Sequence, residues 1–247
     1  MPVSVWIAIL CVVFLSGIVK GTTGFGFALF SLPLLVHFIP IKTLIPVITL
    51  FNLFSSVQII LRSPGQKINR SILLLSVTGI AGVICGSLVL KFLPDNWLKL
   101  LAASILVVLS IMFLTGYRFR IRKIKRGNTI AGFISGFLGG STSVSGPPLA
   151  LFLTSMHLDT DKFRFTFAWY SIITAVVAMF DYIKIGVVYP LTFKLFIVSL
   201  PVVVVSIELG KLISTRISKR FFYTGSIIIT LLAGLLMFYT CIKGCLR

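Results

Sequence analysis

Long apolar runs separated by short polar or basic stretches make up almost the whole chain. A helix needs roughly 20 predominantly apolar residues to cross the hydrocarbon core of a bilayer. Six runs reach that length, at 43–61, 71–92, 97–117, 163–183, 190–213 and 221–242. Two further regions are apolar at both ends and interrupted in the middle. In 129–158 the interruption is "GGSTSVSGPP" at 139–148, and in 3–38 it is "KGTTGFG" at 20–26. An arm of about 10 to 12 residues beside the later interruption rises only about 15–18 Å as helix. Each region is therefore expected to form a helical hairpin, re-entrant or with one arm nearly spanning.

The two interrupted regions resemble each other. "FLSGIVKGTT" at 14–23 aligns with "FISGFLGGST" at 133–142, pairing Phe14 with Phe133, Ser16 with Ser135, Gly17 with Gly136, Gly21 with Gly140 and Thr23 with Thr142. "GSLVLKFLPDNWLKLL" from Gly86 lines up in the same way with "GKLISTRISKRFFYTG" from Gly210. An internal repeat of this kind predicts two copies of one structural unit. The expected fold is an all-α polytopic membrane protein of two repeats, each a broken or re-entrant helical hairpin plus three transmembrane helices. Repeat 1 covers 1–117, with hairpin 3–38 and helices 43–61, 71–92 and 97–117. A basic cytoplasmic linker follows at 118–128. Repeat 2 covers 129–247, with hairpin 129–158 and helices 163–183, 190–213 and 221–242.

Three crossings per repeat, an odd number, invert the second copy relative to the first. Positive charge tests this, because Lys and Arg accumulate on the cytoplasmic side. With loops 62–70, 117–128, 157–164 and 211–220 inside, the inside carries 15 Lys and Arg and the outside 7. If each hairpin is one broken crossing and the repeats are parallel, the split falls to 13 against 9. The inverted arrangement is favoured, with both ends of the chain outside.

Composition agrees with a membrane protein: 57% hydrophobic residues, 11% charged residues and a mean hydropathy of +1.11. Soluble domains carry about 25% charged residues. Residues 1–16 have no charged side chain, so the first segment reads as a retained membrane helix rather than a cleaved signal. The net charge of +18 lies at the ends of the apolar runs, most densely in "YRFRIRKIKRGN" at 117–128. That placement points to membrane lipid as the partner and not to nucleic acid. Cys11, Cys85, Cys241 and Cys245 lack metal-ligand spacing. No cofactor is called for.

Chemistry concentrates at the two interruptions. Backbone that leaves the helix at membrane depth survives only when it is buried in protein or lines a wet cavity. Broken helices at matching places in two repeats are the best sequence pointer to a transport site. Ser141, Ser143 and Ser145 alternate, so in an extended piece their hydroxyls share one side. Gly139, Gly140 and Gly146 permit close approach and positive φ, and Pro147 or Pro148 suits the first turn of a following half-helix. The amides and positive end of that half-helix favour an anion. The first interruption supplies Gly21, Thr22 and Thr23, then Gly24 and Gly26 where the second has Ser143 and Ser145. One small anion is expected between residues 20–26 and 139–147, with Thr142 among its neighbours. A second reading, in which the small residues only permit tight helix packing, stays open.

Lys20 precedes the first break and has two readings, a charge for the anion or a side chain that snorkels or binds a carbonyl. Glu208 is the only acid well inside an apolar run, and reads either as a coupling group or as the helical partner of Lys211. Asp181 with Lys184 invites the same treatment. Asn52 and Gln58 should bond across to neighbouring helices, and His37 and His157 should sit at the interface. No catalytic triad, zinc motif or nucleotide fingerprint is present, so an enzyme is not expected.

At "SGIVKGTTGFGFALFSLPLL" (16–35) and "SGFLGGSTSVSGPPLALFL" (135–153) the chain resembles the TauE/SafE sulfite exporter family, also called the toluene sulfonate uptake permeases. The resemblance spans nearly the whole chain. It implies an inner-membrane, multi-pass transporter of small sulfur-containing or organic anions, with room for a homodimer. Family members often carry three glycines where this chain has Gly24-Phe25-Gly26-Phe27, and the phenylalanines are expected to narrow the site or favour an organic substrate. An anion channel and a membrane-embedded enzyme or assembly subunit are the alternatives.

Overall fold

A computed structural model describes residues 2–62, 66, 68, 70–115, 124–156, 158–216 and 219–245. It contains ten helices among these residues: α1 (Val3–Thr23), α2 (Phe27–Leu35), α3 (Ile41–Leu61), α4 (Arg70–Phe92), α5 (Asp95–Leu114), α6 (Ile124–Thr142), α7 (Gly146–Ser155), α8 (Thr160–Lys184), α9 (Pro190–Arg216) and α10 (Lys219–Cys245). The six full-length runs read from the sequence match α3, α4, α5, α8, α9 and α10 to within three residues at each end. Proline sets several starts: Pro40 and Pro94 stand just before α3 and α5, and Pro190 opens α9. The expected linker lies largely in 116–123, and with His157 falls outside the described residues.

Seven helices are long and apolar enough to cross a membrane, which makes the protein multi-pass. The seventh is α1. Its 21 residues rise about 31 Å, against the shorter arms expected beside the breaks, and α6 likewise runs 19 residues. The reason lies in how "KGTT" and "GGST" fold. Both remain helical, because Thr22, Thr23, Ser141 and Thr142 return their hydroxyls to carbonyls three or four residues earlier in their own helices. The unwound segments shrink to 24–26 and 143–145, and the return arms α2 and α7 are short, at 9 and 10 residues. Each hairpin therefore has one long and one short arm.

Packing interlocks the two halves. The long hairpin arm α1 lies against α9, and α6 lies against α4, while α3 meets α8 and α5 meets α10. Glycine makes the hairpin contacts possible. A Cβ on Gly21 would stand 2.4 Å from the Ile207 carbonyl oxygen and 3.0 Å from Gly210 Cα. At the equivalent contact, a Cβ on Gly140 would stand 2.4 Å from the Val83 carbonyl and one on Gly86 2.2 Å from that of Phe137. Small residues let backbones approach closely where lipid offers no hydrophobic push. Large apolar side chains such as Ile7, Leu73, Val108 and Leu232 remain exposed on the outer surface, where acyl chains replace water.

The helix ends sort into two groups. Lys42 at the start of α3 pairs with Asp95 at the start of α5, 3.7 Å apart, and Lys194 sits over the Trp6 ring. At the other end of the bundle Arg62, Arg164 and Lys211 surround one cavity.

Alanine forms helix better than glycine by about 1 kcal/mol, so a Gly82→Ala change judged by propensity alone should stabilise α4. The opposite is expected, because its Cβ meets the Phe133 carbonyl at 2.2 Å. Overpacking of about 1–3 kcal/mol lowers the melting temperature by roughly 2–10 °C. Thermal unfolding in detergent should show that drop for Gly82→Ala and none for Gly225→Ala, whose Cβ meets nothing within 4 Å.

Candidate functional site

The two breaks share one construction. After α1, Gly24 adopts φ +86° and its N–H donates to the Lys20 carbonyl at 2.7 Å. After α6, Ser143 adopts φ +60° and its N–H donates to the Gly139 carbonyl at 2.9 Å. A left-handed residue closing a helix is ordinary for glycine and strained for serine. Ser143 is held there by its hydroxyl, which donates to the Ile45 carbonyl at 2.8 Å and meets Thr49 Oγ1 at 2.6 Å. The alternating serine strip is accordingly not extended: Ser141 is helical, Ser143 left-handed and Ser145 right-handed. Positive φ falls on Ser143 rather than on Gly139, Gly140 or Gly146.

The carbonyl ends of the long arms are met by side chains from α8. Arg164 Nη2 donates to the carbonyls of Gly21 at 3.3 Å and Thr22 at 2.7 Å. Tyr182 Oη donates to those of Gly139 at 3.2 Å and Gly140 at 2.8 Å. Last-turn carbonyls of α1 and α6, where each helix ends, are thus met by protein.

Both short arms begin at one place. Gly26, Ala28 and Leu29 at the start of α2, and Ser145, Gly146 and Pro147 at the start of α7, line a common cavity of about 10 Å³. Neither start has a side-chain cap, and α7 carries proline in its first turn as expected. Asn52, Ser143 and Ser171 complete this cavity, and they share with Thr49 and Thr174 an adjoining one of about 20 Å³. Each has room for about one water, which needs roughly 10–15 Å³.

Lys20 is 1% exposed. Its Nζ donates to the Asn52 carbonyl at 3.2 Å, to Asn52 Oδ1 at 3.1 Å and to Ser56 Oγ at 3.3 Å. It neither snorkels nor meets an acid. With Gly21, Gly24 and Glu208 it lines a third cavity of about 70 Å³. The helical pair expected between Glu208 and Lys211 gives way to a contact across helices: Arg62 Nη1 and Gln58 Nε2 both reach Glu208 at 2.6 Å. Asn52 and Gln58 thus bond to other helices, as expected. Asp181 accepts from Ser87 Oγ at 3.1 Å, and His37 is exposed.

Of the residues singled out in the sequence, Gly26, Ser143, Ser145, Gly146 and Pro147 come together at the hairpin tips. Thr22, Thr23, Gly140, Ser141 and Thr142 are not among the residues lining these cavities: the hydroxyls of Thr22, Ser141 and Thr142 are spent on their own helices, that of Thr23 on its helix and on Phe25 in the break, and Gly140 packs on α4. Phe25 stacks among Phe113, Phe163 and Phe167, and of these Phe167 reaches the cavity wall. Phe27 turns to Phe51 instead. Sequence reading missed Thr49, Ser56, Ser171 and Thr174 and gave Asn52 no place at the site. The signal was present: 49, 52 and 56 recur at helical spacing in an apolar run, and under the hairpin offset of 119 Asn52 aligns with Ser171.

The family model "Sulfite exporter TauE/SafE" matches residues 9–237. The chain belongs to this family. No curated protein and no solved structure matches it. As a TauE/SafE member with seven helices of spanning length, the protein is of membrane-transporter type.

Strain at Ser143 sets an order among substitutions. Ser143→Gly exchanges about 1 kcal/mol of left-handed strain for the lost hydrogen bonds and should unfold within a few degrees of the parent. Ser143→Val, β-branched at positive φ and without a hydroxyl, should unfold clearly lower. Thermal unfolding in detergent checks this, and equal losses for the two variants would show that the backbone at 143 is not strained.

Proposed function

We propose that the protein is a secondary transporter that carries a small sulfite- or sulfonate-like anion across the cytoplasmic membrane, binding it between the two hairpin tips. The observation that carries this reading is the convergence of the α2 and α7 starts on one cavity. Helix α2 directs the free amides of its first turn there, while α7, whose first turn holds Pro147 and Pro148, adds the Gly146 amide, and both direct the positive end of a dipole there. Asn52 spends its oxygen on Lys20, which leaves the two donors of its amide for an anion. The buried Lys20 ammonium adds charge one hydrogen bond away. A homodimer is compatible with this site, which one chain completes.

The halves read as inverted repeats on three grounds. The contacts of α1 with α9 and of α6 with α4 are exchanged copies of one another. Short connections put the base of the first hairpin at the start of α3 and that of the second at the start of α8. Finally, Arg164 at the start of α8 shares a cavity with Gln58 and Arg62 at the end of α3, so the hairpins reach the centre from opposite ends. Cavities of about 10 and 20 Å³ hold no such anion, so substrate enters when one half moves against the other. That requirement favours a transporter over an open channel.

Uptake into proteoliposomes of sulfite, thiosulfate, sulfoacetate, taurine and lactate tests this reading. Saturable transport of one or more of the anions is expected. Asn52→Ala and Ser171→Ala should each weaken apparent affinity about 10-fold or more, the worth of one hydrogen bond to a charged ligand. Transport of none of these anions, or variants that fold and transport like the parent, would remove the assignment.

A further inference from the structure

The cavity of about 70 Å³ at the far side of Lys20 is several times what one water needs. Its wall carries four basic residues, Lys20, Arg62, Arg164 and Lys211, and two acids, Asp161 and Glu208. Existing contacts account for part of this charge. Glu208 is held by Arg62 and Gln58, and Lys20 by Asn52 and Ser56. Lys211 forms no ion pair among the described residues, and Asp161 acts on Arg164 as a nearby charge without closing to an ion pair. Arg164 is anchored by one nitrogen on the carbonyls of Gly21 and Thr22. Its Nε is buried and has no hydrogen-bond partner. A buried guanidinium donor left unmet is costly and calls for an acceptor.

We infer that this vestibule is a second anion site, separate from the cavity at the hairpin tips, in which the Arg164 Nε–H and the Lys211 ammonium hold one small oxyanion. With Nη2 committed to the Gly21 and Thr22 carbonyls, the Nε–H offers one charge-assisted hydrogen bond to an oxygen on a sulfur or phosphorus centre. Gly24 keeps the place open, since a Cβ there would meet Arg164 Cγ at 2.9 Å. Lys20 stands between the sites: it lines the vestibule, and its ammonium grips Asn52, which lines the central cavities. An anion held at Arg164 is therefore one side chain away from the central site, and passing on requires the Lys20 to Asn52 contact to open. The proposal rests on the chemistry of the vestibule and survives failure of the central assignment.

Equilibrium dialysis of the purified full chain with radiolabelled sulfite counts the bound ions. Two per chain are expected for the parent and one for Arg164→Gln, with Asn52→Ala losing the other. Because Arg164 also caps α1, Lys211→Gln serves as the variant that spares the fold, and it should weaken one of the two sites about tenfold. A parent that binds no ion, or an Arg164→Gln variant that keeps every ion the parent binds while Lys211→Gln leaves the affinities intact, overturns the vestibule site. One ion lost in Arg164→Gln and none in Asn52→Ala upholds it and counts against the central reading. Repeating the dialysis with anionic phospholipid added identifies the source of the oxyanion. Retention of both sulfite ions supports a free solute, and loss of the vestibule ion to lipid overturns its assignment to one.

Discussion

Backbone that unwinds inside a bilayer must have its polar groups answered by protein or by a wet cavity, and most of this architecture follows from that constraint. Two segments of three residues unwind, and the surrounding helices are arranged to receive them. The carbonyl ends of α1 and α6 are met by Arg164 and Tyr182, two residues of α8 eighteen positions apart. Ser143 is tied to α3 through Ile45 and Thr49. Helices α3 and α8 thus act as supports for the breaks as well as membrane crossings, and their contact with each other lies at the centre of the bundle.

The same contacts tie the two halves of the chain together, Arg164 reaching α1 and Ser143 reaching α3. Each long hairpin arm lies on a helix of the opposite half, along seams so close that a methyl group would collide with backbone at Gly21, Gly86 or Gly140.

Unequal chemistry sits on this shared construction. At the first break glycine takes the left-handed position and an arginine from α8 fills the space beside it; at the second a serine takes that position and is bonded to α3. Of the cavity-lining residues, the basic ones, Lys20, Arg62, Arg164 and Lys211, stand around one cavity, while hydroxyls and an amide line the others.

Hydrophobic run length by itself determined the six full crossings, since bilayer thickness imposes helix length almost regardless of context. The pairing of the two breaks was equally legible in the matched Gly, Ser and Thr residues of 14–23 and 133–142. Where each break begins was not. Thr22, Thr23, Ser141 and Thr142 read as loop chemistry, yet a hydroxyl can bond within its own helix as readily as it can end one, and the choice depends on which neighbour occupies the space. Partners of buried charge were beyond sequence for the same reason. Lys20 meets Asn52, and Glu208 meets Arg62, across 32 and 146 positions of chain. Only the packing of α1 and α9 onto α3 brings them within hydrogen-bond distance, and local spacing along one helix carries no trace of it.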